Sequence, residues 1–246
     1  MPAYHHFVTL NTPDGPMPTY ICTPEGDEKH PAVLVIQGMH GANSFELSVA
    51  ERFAEHGYVA AMPDLFHRGP NCLSPQDLNT RRRALNDAQK TGDLNLVINY
   101  LQNQPYCAGD QKMGILGFCM GGRTSYLMAA SNPVFGAAAD FYGGGVPVGE
   151  GGPSPFELTA NMHCPIIIFD GEEDHNPPPD VVRKTEAELV RLGKVHEVHI
   201  YPGVGHGFLS AQGSGRRQEV IDDAWTRLFG WFDQYLPVRE LAATRG

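Results

Sequence analysis

From Ile115 to Gly122 the chain reads Ile-Leu-Gly-Phe-Cys-Met-Gly-Gly, with Cys119 midway between Gly117 and Gly121. The apolar run Met113–Phe118 has the character of a buried strand, and Gly121–Ala130 that of a helix. A cysteine at so tight a strand-to-helix turn is forced into a strained backbone conformation. Its neighbours two positions to either side must be small, which glycine satisfies. The turn exposes the thiol at the N-terminal end of a helix, where the dipole favours a thiolate able to attack a carbonyl carbon. The alternative reading of the same residues is a buried structural cysteine beside packing glycines.

A nucleophilic thiolate needs a base and a carboxylate to orient it, in the chain order nucleophile, acid, histidine. Asp174, in Gly171-Glu172-Glu173-Asp174, follows Cys119 by 174 − 119 = 55 residues, and His206, in Gly205-His206-Gly207, follows Asp174 by 206 − 174 = 32. Each gap accommodates about one strand–helix unit, so all three residues fall at the C-terminal ends of strands, where open α/β sheets bind ligands. Asp170, Glu172 and Glu173 compete with Asp174 for the acid role. The oxyanion of an acyl-transfer intermediate requires two backbone N–H donors. Met120, directly after the nucleophile, supplies one, and Met39, in the glycine-flanked segment Gly38-Met39-His40-Gly41, supplies the other.

These residues must be positioned by an alternation of strands and helices. Tyr4–Leu10 and Thr19–Thr23 read as antiparallel strands with turn signals over Asn11–Pro18. Ala32–Gln37, Val59–Met62, Met113–Phe118, Ala137–Tyr142, Pro165–Phe169 and Glu197–Tyr201 read as further strands. Helical patterns run from Ser44, as a serine cap, to near Gly57, through Leu94–Leu101, and over Gly121–Ala130, Asp180–Leu192 and Gln218–Tyr235. Pro75 opens a long polar stretch to Gln104, and the Gly- and Pro-rich segment 143–162 reads as an irregular loop. About eight strands and at least five helices, with no polar linker, predict one α/β domain over 1–246.

With 18 basic and 28 acidic residues, a formal charge of −10 disfavours nucleic acid and anionic membrane surfaces as partners. No apolar run is long enough to span a bilayer, and the segment MPAYHHFVTL lacks the basic start and apolar core of a secretory signal. Five cysteines without CxxC spacing suit free thiols in a cytoplasmic protein, and Cys22, Cys72, Cys107 and Cys164 have no reactive context. The 11 histidines form no pattern with zinc spacing, so neither a metal nor a cofactor is expected.

The chain resembles the dienelactone hydrolases, the carboxymethylenebutenolidase branch of the α/β-hydrolase superfamily. The likeness runs from about Pro31 to Leu236, through Ala32–Gly41, Gly57-Tyr58, Met62–Leu65, Gly117–Gly122, Gly171–Pro178 and Gly205–Phe208. The resemblance implies Cys119 as nucleophile, Asp174 as acid and His206 as base. It also marks departures. Family members that open dienelactone carry a glutamate just before the oxyanion-loop residue, and Gly38 stands there, which implies a roomier and less polar pocket floor. They clamp the substrate carboxylate with two arginines. Arg81 matches the first, but Ser210 stands at the second, with Arg216 and Arg217 nearby in sequence.

The reading is therefore an ester or lactone hydrolase working through a Cys-His-Asp triad and an acyl-thioester, on a small-molecule substrate, as a monomer or small homo-oligomer. Gly38, His40, Arg81 and Tyr142 are the candidate substrate contacts. A thioesterase or small-ester carboxylesterase on the same site is the main alternative, and a non-enzymatic thiol sensor a distant one.

Overall fold

A computed structural model describes residues 3–69, 75–211 and 213–238, with 75–79 as backbone only. Its sheet has eight strands, β1 (Ala3–Thr12), β2 (Gly15–Pro24), β3 (Ala32–Ile36), β4 (Val59–Pro63), β5 (Met113–Phe118), β6 (Phe135–Phe141), β7 (Ile166–Gly171) and β8 (His196–Tyr201), in the order β1-β2-β4-β3-β5-β6-β7-β8. The β1–β2 and β2–β4 pairs are antiparallel and every other pair is parallel. This is an α/β-hydrolase-type fold. The parallel strands β3, β5 and β7 are buried at every residue, as expected of strands covered on both faces.

The connecting helices are α1 (Ser44–Glu55), α2 (Pro75–Ala84), α3 (Asp87–Gln102), α4 (Met120–Ser131), α5 (Pro179–Arg191) and α6 (Gln218–Tyr235). Alternation along the strands divides the core. Leu34, Ile36, Ile115 and Ile168 pack towards α3, α4 and α5, while Val33, Val35, Leu116 and Ile167 pack towards α1 and α6. No described helix is long and apolar enough to cross a membrane.

Three expectations are corrected. Turn chemistry occupies only Pro13 and Asp14, not Asn11–Pro18, because the Thr12 hydroxyl accepts from Asp14 N–H and donates to Gly15 O, closing a two-residue hairpin. Asn43 rather than Ser44 caps α1, its side chain accepting from Phe45 N–H at 2.8 Å. Within 143–162, a 3₁₀ turn forms at Glu157–Asn161, anchored where Ser154 and the Glu157 carboxylate bond one another.

Register positions the site. Ile36 pairs with Gly117, Phe118 with Phe141, and Phe141 with Phe169, so the C-terminal ends of β3, β5, β6 and β7 lie along one edge. The chain runs from β3 to β4 on one side and then crosses to β5 on the other. That reversal opens a crevice between β3 and β5, the place where such sheets take ligands.

Candidate active site

Cys119 sits in that crevice as the N-cap of α4, with φ 57° and ψ −115°. Its N–H donates to Phe141 O at 2.9 Å and its carbonyl accepts from Arg123 N–H at 3.2 Å, so the strained turn is tied to the sheet and to the helix. The flanking glycines are steric necessities. A Cβ on Gly117 would lie 2.3 Å from Gly121 O, and one on Gly121 would lie 2.2 Å from Ile36 O. Cys119 is half-buried, whereas Cys22, Cys107 and Cys164 are buried. Burial pushes those three thiols up to about 11, 12 and 12, out of the reactive range. Cys72 lies outside the described residues.

Two turns bring the other partners to Cys119. Asp174 follows the end of β7, its N–H donating to Gly171 O at 3.1 Å, and His206 lies beyond β8. The His206 Nδ1 and Asp174 Oδ2 atoms are 2.8 Å apart, and Asp174 Oδ1 accepts from Asn176 N–H at 2.7 Å. Among the competing acids, Glu172 and Glu173 are exposed, and Asp170 lies buried behind Asp174. The geometry therefore singles out Asp174 as the partner of His206. Burial works against the charged imidazole, but hydrogen bonds with Asp174 and Cys119, and the charges of both, outweigh it and raise the pKa to about 10.

A cavity of about 480 Å³ opens over Cys119 and His206. Gly38, Met39 and His40 line it from the loop after β3, Tyr142 from the end of β6, and Ser210 from the segment after His206. Met120 heads α4 and is nearly buried. Phe118 and Phe45 form an apolar wall, their ring centroids 4.9 Å apart.

Tyr142 carries a positive φ of 44°, and its ring meets His206 edge-on with centroids 5.2 Å apart. Burial, followed by the charges of Cys119, Glu46 and Asp174, holds its phenol well above its usual value, so it faces the cavity as a neutral hydroxyl.

Arg81 lies near the end of α2. It does not border the cavity: its guanidinium lies over the Phe66 ring, 4.7 Å from the centroid, a position that a cation–π contact favours. Arg216 is exposed, and Arg217 is held away by Glu219, at 2.8 and 2.5 Å. His67 and Arg68, also on this side of the sheet, bind Asp93 instead. Among the described residues, no arginine or lysine lines the cavity.

The expectation of a less polar floor at Gly38 is also corrected, because Glu46 reaches that floor from the first turn of α1. The Gly38 N–H donates to Glu46 Oε1 at 3.3 Å, and a Cβ on Gly38 would lie 3.9 Å from that oxygen and 3.8 Å from Cys119 Cβ. Burial raises the Glu46 pKa. The sequence held a signal for it: Glu46, Val49, Ala50 and Phe53 have the spacing of a core-facing helix stripe, and all four are buried.

Residues 17–236 match the model of the Dienelactone hydrolase family. A Synechocystis sp. protein provisionally named carboxymethylenebutenolidase is 32% identical over 218 residues, covering 85% of this chain and 88% of its own. One from Methylorubrum extorquens, with the same provisional name, is 29% identical over 236 residues, covering 93% and 80%. A crystal structure of a provisionally named dienelactone hydrolase from Klebsiella pneumoniae superposes with a TM-score of 0.86 at 27% identity, covering 95% of this chain and 99% of its own.

Proposed function

This chain belongs to the dienelactone hydrolase family of carboxylic ester hydrolases, and from that premise we propose that it cleaves neutral esters or lactones through Cys119, His206 and Asp174. The observation that carries the reading is His206 held between Asp174 and Cys119 at the mouth of a cavity that, among the described residues, no arginine or lysine lines. For attack, His206 bears the proton and Cys119 the negative charge. The thiolate attacks the ester carbonyl, and the N–H groups of Met39 and Met120 receive the developing oxyanion. His206 then gives its proton to the departing alcohol, leaving an acyl-thioester on Cys119. As a neutral base it next takes a proton from water, which attacks the thioester and releases the acid. Asp174 holds the imidazole in one tautomer and stabilises its charged form.

The walls supply the substrate preference. Phe45 and Phe118 offer apolar contact, while the neutral Tyr142 hydroxyl, His40 and Ser210 offer hydrogen bonds. With Arg81 over the Phe66 ring and Ser210 in place of a second arginine, no bidentate partner for a carboxylate lines the cavity among the described residues.

The experiment is to react the protein with p-nitrophenyl acetate, a neutral lactone and an acyl-thioester, and to map the acylated residue by mass spectrometry. The expected result is turnover of the esters with acyl trapped on Cys119. Acylation elsewhere, or a rate on thioesters alone, overturns the reading, the latter in favour of a thioesterase.

A further inference from the structure

Behind Asp174, away from the nucleophile, two more carboxyl groups are buried that the chemistry above does not use. Asp140 lies in β6 and Asp170 in β7, only 2% and 0% exposed. Asp140 pairs in register with Ile168, and Asp170 is two residues further on, so both side chains leave the sheet on the same face. Asp170 Oδ1 accepts from Gly171 N–H at 2.7 Å. Asp170 Oδ2 and Asp140 Oδ1, in contrast, are buried and accept no hydrogen bond from a described residue. Both residues border a cavity of about 10 Å³, closed by Pro177 and by Val182 and Thr185 of α5. That is about the space one water requires. Glycines clear the room: a Cβ on Gly122 or on Gly143 would each come within 2.2 Å of Asp140 Oδ1.

An ionised carboxylate in such a place needs a cation, and among the described residues none borders the cavity. α5 presents Val181, Val182 and Thr185 to the cavity. From α4 the nearest guanidinium, Arg123, is taken by Asp87 at 2.5 and 2.8 Å and by the carbonyls of Gly145 and Val148. The remaining neighbours are acids, Asp140 on one side and Asp174 on the other. Burial, then the Asp174 charge, holds the Asp170 carboxyl far above the usual carboxylate range. Burial lifts Asp140 to about 7, against the pull of a hydrogen bond from the Gly143 backbone. Asp170 and Asp174 are also within hydrogen-bonding reach of one another.

We propose that Asp170 is a positioning residue for Asp174: its carboxyl keeps its proton and donates it to an Asp174 oxygen, while the cavity shared with Asp140 holds one water that serves the oxygens left over. The proposal deepens the functional reading of the same site and rests on it for its kinetic consequence. Asp174 then has three donors, the Asn176 N–H, the His206 Nδ1–H and the Asp170 O–H, and its carboxylate plane is fixed against the imidazole. One proton between the two aspartates also keeps a second negative charge away from the triad.

The thermodynamic signature has a definite sign. A folded Asp170 that holds its proton, against an ordinary value of 3.8, binds a proton that the unfolded chain releases. Stability therefore falls as pH rises from that value towards the raised folded one. Asp170→Asn removes this loss, so its unfolding midpoint varies less over about pH 5 to 8 and lies above that of the native protein at the alkaline end.

The test uses the full chain. Difference infrared spectra near neutral pH read the carbonyl stretch of a protonated, buried carboxylic acid, and Asp170→Asn is expected to remove a band that Asp140→Asn leaves in place. Asp170→Leu is expected to lower kcat about 10-fold at unchanged KM, the scale of one buried hydrogen bond, and Asp170→Asn, whose amide can still donate, to recover most of that loss. A missing acid band, an acid spectrum that Asp170→Asn leaves unchanged, or an unfolding midpoint with the same pH dependence in Asp170→Asn as in the native protein overturns the proposal. The infrared and unfolding readouts involve no turnover, so they stand or fall separately from the esterase reading.

Discussion

Cys119 and Tyr142 end adjacent strands with the same backbone device. Both have positive φ, 57° and 44°, and each N–H reaches across to the next strand, Cys119 to Phe141 O at 2.9 Å and Tyr142 to Phe169 O at 2.8 Å. The segments beyond them differ. After Cys119 the chain enters α4, which aligns amide N–H groups beneath the thiol. After Tyr142 it enters Gly143-Gly144-Gly145, where a side chain on Gly143 would collide with Asp140, one on Gly144 with Asn176, and Gly145 has a φ of 83°. One strained strand end therefore carries a reacting group on a helix terminus, while the other carries a wall. Strain of a few kcal/mol at most is tolerable at either position because the sheet fixes both neighbours. It fixes a side chain's direction, and the adjoining element decides what that direction is for.

Substitutions at the reacting end should outweigh those at the walls. Cys119→Ala is the largest expected effect. It removes the nucleophile but keeps a side chain that fits the turn, so ester hydrolysis is abolished with an unchanged unfolding midpoint. Residual activity above a few per cent in a clean preparation would mean that another group attacks.

Asp174→Asn comes next, with a loss of about 10³-fold in kcat/KM, because the amide neither stabilises the imidazolium nor enforces its tautomer. The sign of the accompanying pH effect is fixed. The Asp174 carboxylate helps to raise His206 to about 10, so its loss lowers that pKa and moves the alkaline limb of the rate profile to lower pH. An unmoved limb would detach Asp174 from the imidazole. Cys119→Ser ranks third, with a loss of about 10²-fold, since a site built to hold a thiolate does not ionise a hydroxyl. Its residual rate should rise with pH as His206 becomes a neutral base, opposite to the native alkaline limb.

The same contrast explains how legible the site was in the sequence. Cys119 could be read because two glycines report a steric constraint local to five residues, and Asp174 and His206 because each follows a strand in the order acid, then histidine, although two strands, β6 and β7, and not one, lie between Cys119 and Asp174. The succession of strands and helices along the chain was legible from apolar spacing in the same way. Tyr142, Glu46 and Asp170 are positioned by residues far away in the chain. Glu46 lies in an apolar helix stripe, and Asp170 closes the run Ile-Ile-Ile-Phe-Asp, so both were visible as misplaced acids. Nothing local said what they faced. Arg81 shows the converse, a residue matched by position whose side chain the Phe66 ring holds elsewhere.

The smallest expected effect is at Arg81, and it tests the wall directly. The carboxyl of Glu46 lies on the floor at Gly38, Ser210 borders the cavity, and the Arg81 guanidinium rests on Phe66. An anionic substrate would meet no paired guanidinium and would lie beside an acid. Neutral short-chain esters or lactones should therefore be cleaved at least as well as their carboxylate-bearing counterparts. Arg81→Ala should leave kcat/KM for a neutral ester within about 2-fold, because a one-charge change behind an aromatic ring is weakly felt at the nucleophile. The measurement is kcat/KM for a matched pair, a lactone free acid and its methyl ester, on native protein and Arg81→Ala. A native preference for the free acid of about 100-fold, roughly 2.7 kcal/mol, is more than this wall can supply. Were Arg81→Ala to erase such a preference, the guanidinium must leave Phe66 and enter the cavity when substrate binds, and the wall would belong to the reacting half after all.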